Sequence, residues 1–169
     1  MSITLVLGGA RSGKSRHAEA LLARHPAPWA YLATAEAWDE EMRARIAEHQ
    51  ERRDGRWRTR DVPLGLPAAL AAEAGPVLVD CLTLWLTNLM LGERDVEAAT
   101  AALEAVLRAR AAPTVLVANE VGLGIVPETP LGRAFRDRAG VLNQRVAAVA
   151  DHVHFIAAGL PLLLKGELP

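Results

Sequence analysis

One cysteine in 169 residues, Cys81, leaves no partner for an intramolecular disulfide and too few thiols for a cysteine-based zinc site; it fits a reducing cytoplasm. The ordinary role of such a residue is that of a small buried apolar group. Lysine is almost as scarce. Lys14 and Lys165 are the two lysines among nineteen basic residues, so arginine is the default cation and the placement of Lys14 stands out. There is no basic excess either: the formal net charge is −1, which gives nucleic acid little electrostatic support as a partner. No basic segment leads into an apolar stretch and cleavage site, so no secretory leader is expected. The longest apolar stretch, residues 77–91, is interrupted by Asp80 and Asn88 and is too short and polar to span a bilayer. Internal repeats and low-complexity linkers are missing. With 51% hydrophobic and 23% charged residues, the chain reads as one globular domain, 1–169, located in the cytoplasm.

What is present is a phosphate-binding loop. Gly8, Gly9, Ala10, Arg11, Ser12, Gly13, Lys14 and Ser15 read G-x-x-x-x-G-K-S. The apolar run before them, residues 3–7, suits a buried parallel strand. Residues 16–24 after them are rich in Ala, Leu, Glu and Arg, which favour helix. Strand, glycine loop and helix together turn a pattern into a site. Glycines let backbone N–H groups converge on an anion, and the helix N-terminus adds partial positive charge. Lys14 is expected to reach the β- and γ-phosphates as a catalytic cation, and the Ser15 hydroxyl to help hold Mg²⁺. Without that context the same residues would be a glycine-rich turn.

Strand-like and helical runs alternate through the rest of the chain, the signature of a mostly parallel sheet with helices on both faces. Strands are expected at 29–33, 57–62, 76–79, 114–118 and 153–157, with a C-terminal edge strand at 162–164 after the Gly159-Leu160-Pro161 turn. Helices are expected at 36–53, 66–74, 82–91, 96–111 and 131–150, with Gly140 a weak point in the last. The fold class is therefore α/β of the P-loop NTPase type. Ligands of such sheets gather at the carboxyl ends of strands.

Asp80 ends one strand, where a carboxylate would hold Mg²⁺ opposite Ser15; a strand-end turn former is the alternative. Thr34 and Glu36 end another and suit either a ligand or a helix cap. Asn119 and Glu120 end a third and open a loop long enough to suggest function; a turn role fits equally well. On the 36–53 helix, Arg45, His49, Arg52 and Arg53 share one stripe, and Glu41 supports Arg45. Neighbouring arginines bias His49 towards its neutral, nucleophilic form, although a solvated surface explains such a stripe as well.

These pieces resemble a known family. GGARSGKSRHAEAL, YLATAE, DEEMRARIAEHQERR, WRTRD, VDCLTLWLTNL and VANEVGLGIVPETPLGRAFRDRAGVLNQRVA follow in order over nearly the whole chain. They are similar to the bifunctional adenosylcobinamide kinase/adenosylcobinamide-phosphate guanylyltransferases of cobalamin biosynthesis. The resemblance implies two reactions on a corrinoid small molecule. ATP or GTP phosphorylates its hydroxyl, and GMP from GTP is then transferred to the new phosphate through a GMP-histidine intermediate. The family's R-I-x-x-H pattern falls on Arg45-Ile46-Ala47-Glu48-His49, making His49 the nucleophile. It places nucleotide contacts at Gly8 to Ser15, Thr34, Ala35, Glu36, Gln50, Glu51, Arg52, Arg53, Asp61 and Asp80. Ser15 and Asp80 are the metal ligands expected from the loop and the strand end. Asp61 and Asp80 stand where the family has glutamate, which keeps charge and shortens reach; Glu48 stands where some relatives pair a second histidine. A homo-oligomer, often a trimer, is also implied, with no nucleic acid and no membrane span. A small-molecule kinase without guanylyl transfer, or a nucleotide-dependent switch protein, are the competing readings from the loop alone.

Overall fold

The computed structural model describes residues 2–36, 40 and 53–167. Its frame is one seven-stranded sheet. In chain order the strands are β1 (Ile3–Gly8), β2 (Trp29–Ala33), β3 (Trp57–Asp61), β4 (Val77–Asp80), β5 (Thr114–Asn119), β6 (His152–Ala157) and β7 (Leu160–Lys165). In space they run β3-β2-β4-β5-β1-β6-β7. All neighbours are parallel except β6 and β7, which pair antiparallel. The C-terminal edge strand is thus present and longer than the 162–164 run suggested, because Leu160 and Pro161 join the ladder to Ala157 and Ile156.

Strict alternation along the strands divides the core in two. Leu5, Leu7, Leu32, Val77, Val79, Leu116 and Ala118 face one side. There they meet helices α2 (Leu66–Ala72), α3 (Leu82–Leu91), α4 (Val96–Ala109) and α5 (Pro130–Val149). Val6, Tyr31, Leu78, Val115, Val117 and Ile156 face the other side and meet α1 (Lys14–Leu22). Helices therefore cover both faces, and strands buried on both sides carry the near-continuous apolar runs seen in the sequence. Gly140 does not interrupt α5. No helix among the described residues is long and apolar enough to cross a membrane.

Of the helix expected over 36–53, Glu40 is helical, while Glu36 and Arg53 have irregular backbone. The remaining residues of that segment, except those two and Glu40, lie outside the described ones, His49 among them.

Candidate active site

The site is built at the carboxyl edge of the sheet, where β1 stops between β5 and β6. Gly8 pairs with Asn119 on one side and Ile156 on the other. A Cβ on Gly8 would stand 2.6 Å from Ser12 Oγ and 2.7 Å from the Ile156 carbonyl oxygen. Backbone cannot move aside as a flexible side chain can, so this position demands glycine. Gly8→Ala is expected to force the loop off β6, lowering stability by about 1–3 kcal/mol and nucleotide affinity by about tenfold or more. Calorimetric titration with GTP beside a thermal melt checks it; unaltered affinity would mean that the loop tolerates the shift.

The chain then turns through Arg11 (φ 54°) and Gly13 (φ 94°). Left-handed backbone is natural for glycine and strained for arginine. The loop is fastened from outside: Gly159 N–H, in the β6–β7 turn, donates to the Ser12 carbonyl at 2.9 Å. The helix α1 begins at Lys14 with Gly13 as its cap, no side-chain cap bond and no acidic residue in its first turn. Its first N–H groups are therefore left to an anion. Lys14 Nζ donates across the loop to the Gly9 carbonyl at 3.0 Å. Burial holds its pKa below the ordinary lysine value, opposed by the fields of Cys81 and Asp80. A cation partly stripped of water beside an acid gains from an arriving phosphate.

Asp80 closes β4, in register with Ala33 of β2, which is in register with Asp61 of β3. Asp61 and Asp80 thus share one row at the sheet edge, two strand spacings or about 10 Å apart. Asp61 is exposed and Asp80 half-buried. Asp80 Oδ2 accepts from the Tyr31 hydroxyl at 2.8 Å. Thr34 is fully buried. Its hydroxyl donates to the Cys81 carbonyl at 2.6 Å and accepts from Cys81 N–H at 2.9 Å, and its N–H donates to the Asp80 carbonyl. Asn88 donates to the Thr34 carbonyl at 2.8 Å. Thr34 therefore pins the end of β2 to the Asp80–Cys81 corner. Ala35 and Glu36 continue from there, both half-buried. Cys81 itself is buried, as its type suggested, and burial pushes its thiol up to about 11.

Arg53 lies with its guanidinium carbon 3.6 Å from the centre of the Tyr31 ring. Its Nε and Nη1 are buried without a hydrogen-bond partner. Gln50, Glu51 and Arg52 lie outside the described residues, as does His49. The structure thus gathers Gly8 to Ser15, Thr34, Ala35, Glu36 and Asp80 along the edge, with Asp61 at its far end. Glu120 makes the turn contact: its Oε1 accepts from Gly122 N–H at 2.5 Å. Its own N–H donates to the Gly8 carbonyl, so the loop after β5 starts beside the phosphate loop.

Two groups escaped the sequence reading. Tyr31 is the only tyrosine in the chain, yet nothing in its strand pattern separates it from a core residue. The second is a histidine pair behind the loop: His17 Nε2 and His154 Nδ1 stand 2.9 Å apart. One ring must donate and the other accept, so the contact needs neutral imidazole. Burial lowers both pKa values; Arg24 adds to this at His17, and His17, His152 and Arg24 add to it at His154. The folded values lie below the unfolded one, so the unfolded chain takes up protons first. No penalty exists well above about pH 6.5, and stability falls as pH drops through that value. The melting temperature is expected to decline from about pH 7.5 to about pH 5.5, with a shallower decline in His154→Gln. Nucleotide-free scanning calorimetry tests this; equal slopes would exclude the pair as the cause.

Comparison with known proteins agrees with this geometry. Residues 4–164 match the family model described as cobinamide kinase / cobinamide phosphate guanyltransferase. The bifunctional adenosylcobalamin biosynthesis protein CobP of Pseudomonas aeruginosa is 49% identical over 174 residues, covering 96% of this chain and 97% of the relative. The corresponding CobU protein of Salmonella typhimurium is 44% identical over 179 residues, covering 95% and 98%. Among solved structures, a prototypical ATPase from a type III secretion system of pathogenic bacteria aligns with a TM-score of 0.59 at 11% identity. That alignment covers 96% of this chain and 56% of the ATPase, and supports the P-loop NTPase fold alone. With a phosphate loop facing an acid across the sheet edge and a family match over almost its full length, the chain belongs to the cobinamide kinase / cobinamide phosphate guanyltransferase family.

Proposed function

We propose that one nucleotide cradle, Gly8 to Ser15, serves both activities of this cobinamide kinase and guanylyltransferase. In the kinase step the corrinoid hydroxyl oxygen attacks the γ-phosphorus of ATP or GTP. The new O–P bond replaces the bond to the β,γ-bridging oxygen, the nucleoside diphosphate leaves and the hydroxyl proton passes to solvent. In the second step a neutral His49 nitrogen attacks the α-phosphorus of GTP and pyrophosphate departs. An oxygen of the corrinoid phosphate then displaces histidine, giving adenosylcobinamide-GDP. Loop N–H groups and Lys14 hold the phosphates throughout, and Arg53, with Arg52, supports the charge that develops on phosphorus. Ala35, Glu36, Gln50, Glu51 and Asp61 complete the nucleotide contacts in this reading, while Thr34, buried and bonded to the Asp80–Cys81 corner, anchors the end of β2 that carries Ala35 and Glu36. The observation that carries it is the uncapped N-terminus of α1 beside a half-buried Lys14 that donates across the loop to Gly9, with Asp80 at the same carboxyl edge of the sheet.

The donor set fits Mg²⁺. Ser15 offers a hydroxyl and Asp80 a carboxylate, both hard oxygen ligands, and only one Asp80 oxygen is committed to Tyr31. The described residues contain no group of three or more His, Cys, Asp or Glu that could hold a metal. Bound at Ser15 and Asp80, Mg²⁺ would neutralise charge on the transferring phosphates.

For the acceptor, support comes from the loop after β5. It starts beside Gly8 and exposes Leu123 and Ile125, at 82% and 97%, an apolar rim suited to a bulky corrinoid. A homo-oligomer is supported by β7, an edge strand with Leu160, Leu162 and Leu164 exposed. The decisive experiment incubates the protein with GTP labelled at the α-phosphorus and then adds corrinoid phosphate. Label on the protein that chases into product is expected; product without labelled enzyme would overturn the histidine route.

A further inference from the structure

Tyr31 holds two groups of opposite charge in fixed relation. It lies on β2, 4% exposed, on the sheet face that α1 covers. Its hydroxyl donates to Asp80 Oδ2 at 2.8 Å. Its ring face carries the Arg53 guanidinium at 3.6 Å. The ring is itself wedged: Trp57 meets it edge-on at 6.0 Å, and Trp57 packs against Trp29 at 5.1 Å. Facing a carboxylate oxygen, which can only accept, the phenol is the donor of this hydrogen bond. Because Nε and Nη1 of Arg53 have no hydrogen-bond partner, those donors have not collapsed onto the Asp80 carboxylate. A cation resting on an aromatic face stays available to an anion in a way that a closed ion pair does not.

We infer that Tyr31 is a positioning residue, which orients the Asp80 carboxylate through its hydroxyl and holds Arg53 ready for the nucleotide phosphates on its ring. The inference rests on the nucleotide site proposed above and adds to it a residue that touches neither phosphate nor acceptor. Its two contacts are chemically separable. Tyr31→Phe keeps the ring and deletes the hydroxyl; Tyr31→Leu deletes both.

The test combines steady-state kinetics of phosphoryl transfer with GTP binding measured in EDTA, where no divalent cation contributes. For Tyr31→Phe we expect kcat about tenfold lower, KM for GTP within about twofold, and EDTA affinity unchanged, since the loss falls on the transition state. For Tyr31→Leu we expect the same loss in kcat together with EDTA affinity about tenfold weaker. Where Tyr31→Leu does not fold, Arg53→Gln supplies that arm: it reproduces the affinity loss with the Asp80 contact intact. Wild-type kcat in Tyr31→Phe, or equal loss of EDTA affinity in Tyr31→Phe and Tyr31→Leu, overturns the inference, as does unchanged EDTA affinity in the second arm. A merely structural tyrosine would lower the melting temperature of both variants without separating kcat from affinity. Wild-type protein that transfers neither group fails the functional reading instead, and the EDTA binding arm then decides the role of Tyr31 by itself.

Discussion

Replacing His49 with alanine is expected to abolish covalent labelling by α-labelled GTP and to lower guanylyl transfer by about 10⁴-fold or more, the scale seen when a covalent nucleophile is removed. Phosphoryl transfer from γ-labelled ATP to the corrinoid hydroxyl should stay within about threefold of wild type, because direct displacement at the γ-phosphorus involves no protein nucleophile. The split follows from bond order. An imidazole nitrogen turns one difficult displacement at the α-phosphorus into two easier ones, and the N–P bond it forms is readily broken by the next phosphate oxygen. The expected route needs the ring unprotonated, the form that carries the nucleophilic lone pair. Quantified label on denatured protein, beside product formed in parallel, measures both arms. Label that survives in His49→Ala would remove this residue from the route. Loss of both activities together would point to a damaged nucleotide site, not a missing nucleophile.

Lys14→Met is expected to impair both reactions, each by about 10²–10³-fold in kcat/KM, because both lean on the same charge stabilisation at the phosphates. The side chain now spends one donor on the Gly9 carbonyl and is held partly out of water beside Asp80. On binding, it is expected to exchange that carbonyl for phosphate oxygens, a charge-assisted contact that would strengthen as negative charge develops. Lys14→Arg should restore little, since a planar guanidinium is bulkier than an ammonium and does not fit a loop closed at 3.0 Å around Nζ. Stability should change by less than about 1 kcal/mol, as a surface-edge substitution that removes no core contact. Kinetics of the two half-reactions, with a melt as the folding control, decide the matter. A variant that loses only one activity would refute the shared cradle.

Much of this was legible in the residues. The strand before the loop, the glycine loop and the helix after it are local in sequence, and each rests on nearest-neighbour propensities. Val77–Asp80 announced a buried strand with an acid at its end, and the structure places that acid at the carboxyl edge with Lys14 within its field. Helix ends were less legible: residues 73–74 and 110–111 fall outside α2 and α4. Arg110 is taken up instead by the Leu70, Glu73 and Gly75 carbonyls and by Thr114. That is a tertiary demand no propensity records. Thr34 looked like a ligand or a cap, and its hydroxyl proved to be engaged with Cys81, 47 residues away.

The sequence by itself determined the chemistry on offer. It set a phosphate cradle, an acid at a strand end, an arginine-flanked histidine, and alternating elements that admit only a largely parallel sheet between layers of helix. Which of these meet was decided by the tertiary structure. Strand order puts β1 between β5 and β6, so Gly8 is squeezed by Ile156 and the loop is fastened by Gly159. The same order sets β2 beside β4, and with it Tyr31 against Asp80. Side-chain periodicity is written in consecutive residues. The pairing of strands far apart in the chain depends on how two core faces pack at once, and no local stretch encodes that.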